Sequence, residues 1–180
     1  MDTGPTSTTT THHLMEHYAL VPGETAVTFR TRHVFGLLAV TGALRLVRGS
    51  ATVDPRDRSL VAVEAVLDAR SFASASTARD RVVASPRFLD STAHPEATYR
   101  SSGVERRDGG WLVRGELTVR GVAAPVDLLV AHRAGADGGE HVTATAVVDR
   151  TRHGISVPAA MAATELHVSI DARAEHAPHA

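Results

Sequence analysis

Apolar and polar residues alternate in short runs between turn signals, and this constrains the chain more than anything else in it. A period of two belongs to a half-buried strand, because successive side chains leave opposite faces. Across 26–32, Val27 and Phe29 share one face while Thr28, Arg30 and Arg32 take the other. A longer, less regular run at 40–53 carries Val40, Leu44 and Leu46 in phase, with Gly42 and Gly49 where it would bend or bulge. Val61, Val63, Ala65 and Leu67 share a face across 60–68, and a further strand is expected at 98–105. Four more sets follow: Trp111, Val113, Leu117 and Val119; Val126, Leu128 and Val130; Val142, Ala144, Ala146 and Val148; Leu166, Val168, Ile170 and Ala172. Turns are read at DPRD (54–57), DGG (108–110), 121–125 and GADGG (135–139).

One segment breaks the alternation. TARDRVVA at 77–84 reads as a short helix, with Thr77 as its cap and Asp80 at the third helical position. Pro86 ends it, because the residue before a proline is pushed out of helical geometry. Phe88, Leu89, His94 and Pro95 fall in a turn-rich link that leads into the next strand.

Strands joined by short turns pair antiparallel. A meander of eight exposes two edges unless it closes. The expected fold is therefore all-β: an eight-stranded antiparallel up-and-down barrel with a short helical crossover near residues 77–90. Residues 1–16 read as a polar, disordered tail, 17–175 as the domain and 176–180 as a second tail. A barrel of eight strands is either filled by its own side chains or holds one small ligand. Aromatics are only 4% of the 180 residues, and the inward faces carry many Ala, Gly and Val. That favours a ligand cavity and leaves the filled barrel as the alternative.

Composition excludes much chemistry. All 19 basic residues are Arg and none is Lys, which removes lysine nucleophiles and Schiff bases. With no Cys there is no disulfide, thiolate catalyst or Cys-ligated metal. A formal net charge of −1 without a basic block among aromatics argues against a nucleic-acid partner. No apolar run is long enough for membrane insertion. The start, MDTGPTSTTTTHH, is acidic and Thr-rich rather than basic and apolar, so a cytoplasmic protein is expected. No Ser-His-Asp order, G-x-S-x-G or H-E-x-x-H stands out, and no enzyme is expected. His13 and His17 have the i, i+4 spacing of a metal pair beside His12. They sit in a polar tail, so neither a metal site nor a cofactor is expected.

Four segments, in order, resemble YceI-like proteins, a family of polyisoprenoid- or lipid-binding domains. They are TAVTFRTRHVFGLLAVTGALR (25–45), ARDRVVASPRFLDSTAHPEATYRSS (78–102), GELTVRGVAAPVDLLV (115–130) and DRTRHGIS (149–156). In the second, Phe88-Leu89 stands for a paired aromatic; in the fourth, His153-Gly154 stands for Phe-Gly. The resemblance implies a lipocalin-like barrel with an elongated apolar cavity that binds or carries an isoprenoid, isoprenoid-quinone or fatty-acid or amide chain, with a link to stress. It makes Phe29, Leu44, Phe88, Tyr99, Trp111, Val113, Leu117, Leu128, Val168 and Ile170 the candidate lining. His33, Arg79, Asp80, His94 and His153, in the matching loops, become candidate head-group contacts. The alternatives are a histidine-dependent metal- or haem-linked stress protein and a filled interaction domain. A symmetric homodimer is expected by analogy with compact β-barrels.

Overall fold

The computed structural model describes residues 14–33, 38–134, 139–158 and 160–177. The tail residues 1–13 and 178–180 and most of the GADGG loop (135–138) lie outside the described residues, as does the His33 side chain.

The described strands are β1 (Glu16–Leu20), β2 (Ala26–His33), β3 (Leu38–Asp54), β4 (Ser59–Ser74), β5 (Glu96–Arg107), β6 (Gly110–Val119), β7 (Val122–Ala134), β8 (Glu140–Asp149) and β9 (Glu165–His176). From β2 to β9 each strand pairs antiparallel with its successor. β9 then returns to β2, with Val168 opposite Phe29 and Ile170 opposite Val27. The sheet is a closed barrel.

β1, absent from the sequence reading, adds a ninth strand without adding a ninth stave. A 3-10 turn at Pro22–Glu24 separates it from β2. Both strands lie between β3 and β9: Ala19 faces Ser50 and Glu175, and Phe29 faces Gly42 and Val168. They are two halves of one interrupted lane, so the barrel has the eight lanes expected. β1 and β9 each reach one residue past the 17–175 limits, to Glu16 and His176.

The crossover helix α1 spans Thr77–Ala84. Its cap is Ser76, not Thr77: the Ser76 hydroxyl accepts from the Arg79 amide. The sequence offers a hydroxyl at both positions, and the frame falls one residue earlier. No residue of α1 is buried, but Ala78, Arg79, Val82 and Val83 border the barrel interior, so the helix lies over one barrel end as a lid. The link behind it is tied by backbone bonds, Leu89 N–H to Val83 O and Ser91 N–H to Ala84 O.

Three local expectations change. Val61 points outward: Thr52 pairs with Ala62 but Val53 with Leu60, so Val61 is the extra residue of a bulge. Leu60 takes the inward place instead. The turn expected at 121–125 is only Arg120-Gly121, both at positive φ (54° and 73°). Pro125 lies within β7, where its missing N–H costs nothing because the β7–β8 ladder runs from Leu129 to Ala134. Gly42 and Gly49 stay paired, away from the register shifts, and serve instead as clearance. A Cβ on Gly42 would sit 2.5 Å from Phe29 Cζ and 2.8 Å from Phe72 Cε2, and one on Gly49 would sit 2.7 Å from Leu20 Cδ1.

Phe29 and Phe72 stack across Gly42 with centroids 5.3 Å apart. Gly42→Ala should therefore displace both rings and cost about 1–3 kcal/mol, the usual penalty for overpacking. Gly103→Ala, whose Cβ meets nothing within 4 Å, is the control. Chemical denaturation of the two variants checks the contrast.

Candidate ligand-binding site

Inward residues of all the staves enclose a cavity of about 820 Å³. Its wall is mainly aliphatic, from Val27, Leu46, Ala65, Leu128, Ala144, Ala146 and Ile170 among others. A filled barrel does not describe this interior.

Nine of the ten candidate lining residues border the cavity: Phe29, Leu44, Phe88, Tyr99, Trp111, Leu117, Leu128, Val168 and Ile170. Val113 is the exception. It is fully buried in the cluster of Tyr99, Val126, Leu128 and Val130, and it does not reach the cavity. Tyr99 leans over Gly115, where a Cβ would stand 2.4 Å from its hydroxyl. That hydroxyl lies 3.2 Å from both the Val113 and the Val126 carbonyl oxygens, so it is satisfied by the wall. Burial, and then the negative charge of Asp127, push its pKa up to about 12.

The head-group candidates divide. Arg79 and His153 line the cavity. Asp80 does not; its carboxylate accepts from the Ser74 hydroxyl at 2.6 Å and steadies the start of the lid. His94 is also outside the lining, with its ring over the Gly121 turn. His153 is set by a short 3-10 turn, Arg150–His153. The Asp149 carboxylate caps that turn through the Thr151 amide and hydroxyl, which hold it below the usual carboxylate range. Gly154 closes the turn at φ 72°.

Two arginines tie the chain together at the ends, and the sequence reading named neither. At the lid end Arg150 is buried and spends its guanidinium on four carbonyls: Ala163 (2.9 Å), Val157 (2.7 Å), Ala162 (2.9 Å) and Ile155. It gathers Ile155, Val157, Ala162 and Ala163 at this end of the bore. At the opposite end Arg58, at φ 58° in the β3–β4 hairpin, reaches Glu16 (2.8 Å), the Tyr18 hydroxyl (2.9 Å) and Glu140 (2.8 Å). Glu140 also meets His132 Nε2 at 2.5 Å. Phe72, the stacking partner of Phe29, was missed as well. It lies in SFAS, between the strand and the helix in the reading, where the period is hardest to follow.

A family model, the YceI-like domain, matches residues 18–175. The chain belongs to the YceI-like family. Curated relatives include UPF0312 proteins of Pectobacterium carotovorum subsp. carotovorum, 30% identical over 102 residues, and Yersinia enterocolitica, 31% identical over 102 residues. Each match covers 57% of this chain and 53% of the relative, so the aligned part is about half of either protein. Among solved structures, Burkholderia cenocepacia BcnA superposes with a TM-score of 0.77 at 18% identity, covering 87% of this chain and 99% of that one. A polyisoprenoid binding domain from Saccharophagus degradans, implicated in plant cell wall breakdown, gives a TM-score of 0.60 at 14% identity, covering 89% and 98%. At these identities the structures establish the YceI-like fold. Among the described residues no helix is long and apolar enough to cross a membrane.

Arg150→Lys should destabilise this YceI-like barrel by about 3 kcal/mol. A single ammonium cannot reach the four carbonyls that the fork serves, and each abandoned buried acceptor costs about 1–3 kcal/mol. Thermal unfolding measures the loss. Tyr99 supplies a pH signature. Its folded pKa, about 12, lies above the unfolded value near 10, so its contribution is complete below pH 10 and is lost as pH rises from 10 to 12. Tyr99→Phe should flatten that part of the stability–pH curve, read by denaturant titration across the window.

Proposed function

We propose that this chain binds a long apolar molecule within the barrel, of the isoprenoid, isoprenoid-quinone or fatty-chain class, and holds or carries it away from water. The observation that carries the reading is the bore itself: about 820 Å³, walled by aliphatic and aromatic side chains, with charged groups at its ends. Drug-sized pockets span about 300–1,000 Å³ and are lined in the same apolar way. Each methylene brought in from water contributes about 0.8 kcal/mol. A chain of a dozen or more carbons would bind without a hydrogen bond, although ordering it offsets much of the gain. The Saccharophagus degradans neighbour, described as a polyisoprenoid binding domain, supports the same class. A role in stress would follow if the cargo is an oxidisable lipid. No catalytic step is needed for any of this.

Native mass spectrometry of freshly purified protein, with solvent extraction of the same sample, tests the reading. The expected result is an added mass that extraction releases as an apolar species. Protein that carries no such mass and binds no fluorescent fatty-acid or prenyl probe would sink it. Ala146→Trp places an indole in the bore from a lining position on β8. It should weaken probe binding at least tenfold while far-ultraviolet circular dichroism stays unchanged.

A further inference from the structure

The two ends of the bore differ in what they show to water. At the end that Arg58 spans, the strap end, the residues that both border the cavity and stand exposed are Asp57, Arg58, Arg106 and His132, with Ser50 on β3. All of these are polar. At the lid end the residues that do both are Ala78, Val82 and Met161, and all are apolar. Among the described residues nine large apolar side chains are exposed, and of these only Val82 and Met161 border the cavity. An apolar surface therefore runs without a break from solvent into the bore at one end and not at the other.

An apolar chain leaving through the strap end would have to part Arg58 from Glu16, the Tyr18 hydroxyl and Glu140, and then take water from each of them. Stripping water from a separated ion costs several times what a buried methylene gains. The lid end has a weaker closure. No residue of α1 is buried, and Arg87, in the link behind the helix, meets Met161 through Nη2 and Sδ at 3.6 Å. A thioether is a weak acceptor. A chain sliding past Val82 and Met161 exchanges one apolar surface for another.

The two banks of this opening are not held alike. Ala162 and Ala163, next to Met161, give their carbonyls to Arg150, so that bank is fixed. The first turn of α1 is anchored to the end of β4, where Asp80 accepts from the Ser74 hydroxyl. Amides of Leu89 and Ser91 return to the Val83 and Ala84 carbonyls and keep helix and link together. These bonds hold α1 to its own flanks and leave its inner face to apolar contact alone. Segments with few buried contacts open at least cost, so the helix is the bank that moves.

We propose that the lid end is the mouth of the bore: the bound molecule enters and leaves between α1 and Met161, and the Arg87–Met161 contact is a latch released when α1 swings on its attachment to β4. The strap end stays shut throughout. The inference rests on the reading of the bore as an apolar-ligand site and adds the route and the moving part.

The chain has no Cys, so thiol clamps can be placed without interference. One clamp joins Arg87→Cys to Met161→Cys through a reducible bis-methanethiosulfonate long enough to replace both side chains. Another joins Glu16→Cys to Glu140→Cys across the strap end. Each protein is loaded with an anthroyloxy-labelled stearic acid, and stopped-flow fluorescence follows its release to excess phosphatidylcholine vesicles. The lid clamp should slow release about tenfold or more, and reducing the clamp should restore the rate of the same variant. The strap clamp should leave its variant releasing as it did before clamping. A lid clamp without effect, or a strap clamp that slows release, overturns the proposal while the bore reading stands. A probe that never binds the unmodified chain overturns the two together. Salt gives a second readout that needs no variant. It screens the half-exposed ion pairs of the strap and leaves apolar contacts in place, so molar sodium chloride should change wild-type release by less than about twofold. Release that salt accelerates beyond that overturns the proposal.

Discussion

Closure of the sheet through β9 is the constraint on which the rest depends. Every inner backbone group must find a partner, and in a barrel each strand supplies partners on both sides. β2 alone is too short to do this for β3, which runs on from Arg45 to Asp54. The chain resolves the shortfall by spending one lane twice. β1 covers 50–53 of β3 and 174–176 of β9, and β2 covers 38–45 of β3 and 167–171 of β9. The 3-10 turn between them lies on that lane as a kink. Without β1, the far ends of β3 and β9 would be bare edges at the strap end, where pairing with another chain is the usual hazard.

A closed sheet is open at both ends, and this molecule narrows them by different means. The lid end is covered by chain: α1, the link through Phe88, and the segment gathered by Arg150. The other end is spanned by a side chain, Arg58, which joins the β3–β4 hairpin to Glu16 on β1 and Glu140 on β8. Both devices need a donor that is planar, forked and permanently charged. A chain whose only strong cations are arginines is suited to that, since an ammonium makes point contacts and cannot bridge several acceptors set around a ring. Arg58 accepts a left-handed backbone to reach its place, and the turn is steadied by Asp54 and Asp57 carboxylates that take the Arg56 and Ser59 amides.

The lanes and their order were legible because barrel strands alternate strictly. Val27 and Phe29, or Leu166, Val168 and Ile170, declare a face with no knowledge of their partners. Legibility failed where the period is interrupted. Val61 was placed inward because nothing in SLVAVEAVL marks the extra residue; the bulge arises from the mismatch between two long strands and is a property of the pair. Gly121–Pro125 resembles a five-residue turn because it runs from a glycine to a proline, whereas an unpaired flank of β7 tolerates Pro125. β1 was hidden by the Pro-Gly that follows it. Among the site residues, aliphatic and aromatic positions could be read from their phase. The arginines at the ends could not, since an Arg on a hairpin or after a strand resembles any solvated cation until the acceptors around it are known.

The polar atoms of the bore follow a pattern that bears on how any amphiphile would lie in it. Tyr99 could have offered a hydroxyl to a ligand, but it is turned to the Val113 and Val126 carbonyls and its proton is held by burial. The neighbouring wall is left to Leu117, Ala65 and Leu128, none of which has a polar atom to give. Among the described residues, His153 Nε2 at the lid end and Trp111 Nε1 on the β6 stave are buried side-chain atoms without a hydrogen-bond partner. A tail lying along the wall therefore loses nothing by being apolar, whereas a polar group set beside Tyr99 would give up its water for no partner. The stretch of wall around Tyr99 therefore disfavours a polar group, because Leu117, Ala65 and Leu128 offer it no partner.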